Sequence, residues 1–114
     1  MEDHSWINDP IKWAAYKDEK LKEMDPLLLD NAVKFLSREL PEDAKQEIRE
    51  MHEKDPLHWS GPYHFSWGMG VRNALRKYGL KDDLLPEGNW DDYYVPVVEV
   101  AVGVREMPRI THDR

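Results

Sequence analysis

Prolines fix where this chain can be helical. A proline fits the first turn of a helix and breaks its interior. Asp9-Pro10 and Asp25-Pro26 each join a capping carboxylate to a proline at the first helical position. Pro41 is followed by Glu42 and Asp43, acids that suit a helix N-terminus. Three helices are therefore predicted: Pro10 to about Met24, Pro26 to Leu40, and Pro41 to about His52. In the second, Leu28, Ala32, Phe35 and Leu36 make one apolar stripe. In the third, Ala44, Ile48 and Met51 point inward. The first has a thin apolar set, Ile11, Ala14, Ala15, Leu21 and Met24, and Lys17 to Glu23 reads as a solvated face. The short connection at Pro41 predicts that helices two and three pack as antiparallel neighbours.

Two prolines and a glycine make KDPLHWSGP, 54–62, a loop. The stretch GPYHFSWGMGVRNALRKYG, 61–79, carries two periods at once. Tyr63, Phe65, Trp67, Met69 and Val71 alternate as in a strand. Trp67, Val71, Ala74, Leu75 and Tyr78 fall on one helical stripe. The stripe is longer and ends at Gly79, a natural left-handed cap, so a helix opening near Pro62 is predicted. Gly68 and Gly70 then predict close approach by something, because each costs a helix about 1 kcal/mol relative to alanine.

LKDDLLPEG is a second loop, after which Asn89 caps a last helix beginning at Trp90. Pro96 would kink that helix, and VPVVEVAVGV is rich in β-branched residues that favour strands. A lone strand has no evident partner in this chain, so the expectation is a helix kinked at the proline. The whole reads as an all-α, compact bundle of four to five helices. Residues 1–8 form a flexible N-terminal arm, 9–104 a single helical domain, and 105–114 a C-terminal tail.

The order LLLDNAVKFLSRELPEDAKQEIREM, then HF with a glycine four residues after the histidine, then RN, then DD, resembles a small bacterial family of uncharacterised helical domains. The positions that carry the resemblance are His64, Phe65, Gly68, Arg72, Asn73, Asp91 and Asp92, in a match over roughly residues 27–102. HWSGP before the motif and Pro96 after it depart from the pattern. The resemblance implies an all-helical fold and assigns no activity.

The chain has 114 residues and a formal net charge of −7, from 23 acidic against 16 basic residues. Dispersed acid of this kind argues against nucleic-acid binding, which needs clustered Lys and Arg. No run of about 18 apolar residues exists to span a membrane. With no cysteine, thiol nucleophiles and thiolate zinc sites are excluded. A cytoplasmic protein is the default.

On a helix, His64, Gly68 and Arg72 form one row, with Asn73 beside it. One reading has another helix crossing at the glycines, with these polar groups as structural ties. A second has a pocket over Gly68, where His64, Arg72, Asn73 and Asp92 grip an anionic or amide-bearing ligand. Asp91 or Asp92 with His64 or Arg72 could also serve acid–base chemistry. His52, His58 and His64 are six apart, the wrong spacing for a helical metal pair, and no metal or cofactor is expected. Ser37, Ser60 and Ser66 lack a nucleophile elbow, and GMGVRN lacks a dinucleotide fingerprint. The aromatics Trp59, Tyr63, Trp67, Trp90, Tyr93 and Tyr94 cluster around this region, as core or as an exposed interface patch. The expected function is that of a small acidic protein-interaction or regulatory module, acting by binding rather than catalysis on another protein or on itself. Its face would comprise Trp59, Tyr63, His64, Trp67, Gly68, Arg72, Asn73, Trp90 and Asp92.

Overall fold

The structure is a computed structural model and describes residues 10–56, 59–61, 66–86 and 88–108. Tyr63, His64, Phe65, His58 and the expected arm at 1–8 lie outside the described residues. Those described are helical or irregular, with no strand among them.

The proline signals act where expected. Helix α1 spans Pro10–Glu23, α2 spans Pro26–Glu39 and α3 spans Glu42–Lys54. Asp25 Oδ1 accepts the backbone N–H groups of Leu27 at 2.8 Å and Leu28 at 3.3 Å, so the cap is real. The α2 stripe is buried as Leu28, Leu29, Ala32, Phe35 and Leu36.

The fourth helix, α4, spans Trp67–Lys77 and so begins later than Pro62. It ends in a Schellman closure. Gly79 takes φ +109°, its N–H reaches the Arg76 carbonyl, and that of Leu80 reaches the Leu75 carbonyl. Two 3₁₀ turns follow, Asp82–Leu84 and Trp90–Asp92, the second capped by the Asn89 side chain on Asp91 N.

Helix α5, Tyr94–Val102, is the centre of the molecule: α1, α2, α3 and α4 all pack against it. The interruption expected at Pro96 takes the form of a restart. The 3₁₀ turn closes and α5 begins anew at Tyr94, which puts Pro96 in a first turn where no N–H is needed. Tyr94, Pro96, Val97, Val98, Glu99 and Val102 are all buried. A helix enclosed on every side is apolar all round. That packing is what the β-branched run serves, and it overrides their strand propensity.

Two expectations about packing change. Helices α2 and α3 turn their stripes toward α5, and their mutual contact is minor. The extended residues Leu40 and Pro41 carry α3 away from α2. In α1, Ala14 and Ala15 are exposed, while Lys17 and Lys20 are buried beside Leu21 and Met24. The charged stretch is thus solvated only in part: Glu19, Lys22 and Glu23 are exposed, and Lys17 and Lys20 turn inward.

Candidate functional site

Arg72 leaves α4 toward the start of α5 and is 4 % exposed. Its Nε lies 3.0 Å from Asp91 Oδ1, and its guanidinium sits 4.9 Å from the Tyr94 ring centroid. One turn on, Arg76 donates to both oxygens of Asp82, at 2.5 and 3.1 Å, and to Asn73 Oδ1 at 2.9 Å. Asp82 also accepts Trp90 N at 3.0 Å, and the Trp90 indole N–H donates to the Leu80 carbonyl at 2.7 Å. The Arg76 hydrogen bond holds the Asp82 carboxyl below the usual carboxylate range. These contacts tie α4, both 3₁₀ turns and α5 into one unit.

The remaining expected site residues divide by burial. Trp59 and Trp90 are inside the core, at 3 % and 0 % exposure. Trp67 is half-buried, edge-on to Trp59 with centroids 6.1 Å apart. Gly68 is buried, whereas Asn73 and Asp92 are exposed. Gly70 is exposed too, and nothing stands within 4 Å of where a Cβ would sit. The close approach expected at Gly70 is therefore not made by any described part of the chain.

Sequence reasoning missed a second polar centre. Glu99, on α5, is fully buried. Its Oε2 accepts from Lys17 Nζ at 2.6 Å and from the Trp59 indole at 2.8 Å, and its Oε1 accepts from Arg105 Nε at 2.8 Å. Lys17 also donates to the Pro56 carbonyl at 3.2 Å. His52 Nε2, on α3, stands 3.8 Å from Oε2, with 22 % of its side chain exposed. Burial pushes the Glu99 carboxyl up, but Lys17, Trp59 and Arg105 together bring it below its ordinary value. Burial lowers Lys17, partly offset by Glu99. Their 2.6 Å separation is that of a buried ion pair. Arg105, the first residue of the expected tail, is fastened to the core. One signal was legible: Glu99 is the lone carboxylate in an aliphatic run.

Lys20 is the other inward cation. It lies 5.2 and 5.1 Å from the ring centroids of Tyr16 and Tyr93 and 3.6 Å from Glu23, which accepts the Tyr93 hydroxyl at 3.0 Å. Beside it Tyr16, Lys17, Asp91, Asp92, Val95 and Pro96 line a concavity of about 90 Å³. That is small against the roughly 300–1,000 Å³ of a small-molecule pocket. Among the described residues no group of three His, Asp or Glu is placed to hold a metal ion, and no helix is long and apolar enough to cross a membrane.

A family model described as a domain of unknown function, DUF6794, matches residues 26–85, more than half of the chain. The match runs from the first residue of α2 to the second loop and stops before α5. No curated protein and no solved structure matches the chain.

Proposed function

We propose that this chain, which belongs to the DUF6794 family of domains of unknown function, acts by binding another protein or a second copy of itself rather than by catalysis. The observation that carries the reading is Gly70. A glycine within a helix costs about 1 kcal/mol relative to alanine, and here the space for a side chain is open. No described part of the chain draws any return from that cost. A partner whose backbone lies against α4 would. Ser66, Met69, Asn73 and Lys77 are exposed alongside it, and Met69 offers an adaptable apolar contact. The groups best suited to chemistry, Arg72, Arg76, Asp82 and Glu99, are each engaged in ion pairs within the chain and serve as ties. The net charge of −7 favours a partner with a basic surface, and a cysteine-free chain suits the cytoplasm.

The test places a photo-crosslinking residue at Met69 in cells of the source organism, with and without Gly70→Ala. The expected result is a discrete crosslinked complex that weakens several-fold in the variant, although the variant itself is more stable. Sedimentation of the purified chain separates a second copy from another partner. Crosslinking that is diffuse, or indifferent to Gly70→Ala, would remove α4 as the face.

A further inference from the structure

We infer that His52, Glu99 and Trp59 form a proton-operated latch, in which a proton taken up by His52 displaces the Trp59 indole from Glu99. The inference is independent of the binding reading and rests on who holds each oxygen of one carboxylate. Glu99 Oε1 is taken by Arg105, and Oε2 is shared by Lys17 and Trp59. Of these donors only the indole is neutral, and a neutral donor binds a carboxylate more weakly than a cation does. His52 waits 3.8 Å from the shared oxygen, beyond hydrogen-bond range, with its ring at the solvent edge where a proton can reach it.

The charged and titratable groups that face this centre are Lys17 from α1, Arg49, His52 and Asp55 from α3 and its end, Glu99 from α5, and Arg105 beyond it. Arg49 is held by the Val102 carbonyl at 2.8 Å, and Asp55 acts on Lys17 from outside the core. With His52 neutral, two cations face one carboxylate. With His52 protonated, a third arrives, and Oε2 cannot serve Lys17, an imidazolium and the indole together. The imidazolium moves onto Oε2 and the indole leaves. Trp59 lies between α3 and α4, so its release removes the bond that fastens its indole to α5, while α5 keeps Lys17 and Arg105.

Burial holds the His52 imidazole below its ordinary range; Lys17 and Arg105 add to this and Glu99 opposes it. A folded-state value below the unfolded one means that stability is fully present above about pH 6.5 and is lost as the pH falls toward the lowered value.

The experiment follows indole N–H exchange by NMR, corrected for intrinsic exchange, from about pH 7.5 to about pH 4.5, through the ordinary imidazole range and below it, where burial places His52. Trp90, whose indole donates to the Leu80 carbonyl and not to a carboxylate, is the internal reference. The Trp59 indole should lose protection several-fold on acidification while Trp90 keeps its own, and His52→Gln should abolish the difference. In the unaltered protein the loss should follow the titration of the His52 ring protons. Parallel loss at Trp59 and Trp90, a midpoint that does not track His52, or an unchanged response in His52→Gln would overturn the latch.

Discussion

The indole N–H of Trp59 donates to Glu99 Oε2 at 2.8 Å across forty positions of sequence. The same oxygen takes the Lys17 ammonium at 2.6 Å. One carboxylate thus joins α1, the α3–α4 linker and α5, and removing it should do more damage than removing any one donor. Glu99→Gln leaves the buried cations without a counter-ion and should cost about 3–5 kcal/mol. Trp59→Phe loses one charge-assisted hydrogen bond and should cost about 1.5–3 kcal/mol. Urea unfolding of the three proteins gives the order.

Gly70→Ala should stabilise the chain by about 0.5–1 kcal/mol, because the helix gains at an open position. Thermal unfolding should show a rise of several degrees, as expected for a domain of this size. A fall would mean that the space is filled in solution.

Arg72→Lys should not substitute for arginine. The guanidinium lies over Tyr94 and reaches Asp91 while itself 4 % exposed, and an ammonium cannot keep both contacts. A loss of about 1–2 kcal/mol is expected. Asp91→Asn, at a half-exposed carboxylate, should cost less. Chemical denaturation of both variants checks the asymmetry.

Asp82 should register in acid. Its carboxyl is held below the usual range by Arg76. Its stabilisation is therefore fully present above about pH 3.9 and is lost as the pH falls through the lowered folded-state value. Asp82→Asn should be less stable than the parent at neutral pH, and the two curves should converge toward about pH 2. Curves that stay parallel throughout would show that the pair contributes nothing through ionisation.

The family match covers residues 26–85 and omits α5, on which every other helix packs. A fragment of residues 26–85 should therefore lack cooperative unfolding by circular dichroism, whereas a fragment of 10–108 should retain it.

Much of this fold is written locally. Asp25-Pro26 and the stripe Leu28, Ala32, Phe35 and Leu36 state where α2 begins and which side it buries. Gly79 closes α4 as its position suggests. What is not local was harder to read. Lys17 looks like one more charge in a charged stretch until Glu99 is set beside it, and no periodicity links positions so far apart. The alternation in 63–71 pointed to a strand, and the longer stripe from Trp67 prevailed because α4 begins there. Gly70 was legible as unusual, although the reason first offered, crossing by the chain itself, is not realised among the described residues. Arg72 meets Asp91, one of the partners weighed for it, and Asn73 meets Arg76 one turn on in the same helix, whereas the Tyr94 ring beside Arg72 comes from the start of α5, which the periodicity of α4 does not register.

The hub position of α5 sets an order of events during synthesis. The first four helices leave the ribosome before the element that gives them a common core. Lys17 precedes its partner Glu99 by 82 residues, which at about 5–20 residues per second is roughly 4–16 seconds. For that interval Leu21, Met24, Leu28 and Leu36 have no permanent cover. Folding of these helices then waits for α5, so a message cut short before Glu99 yields no partly useful product. The buried carboxylate works as a checkpoint, met only by a chain translated through α5.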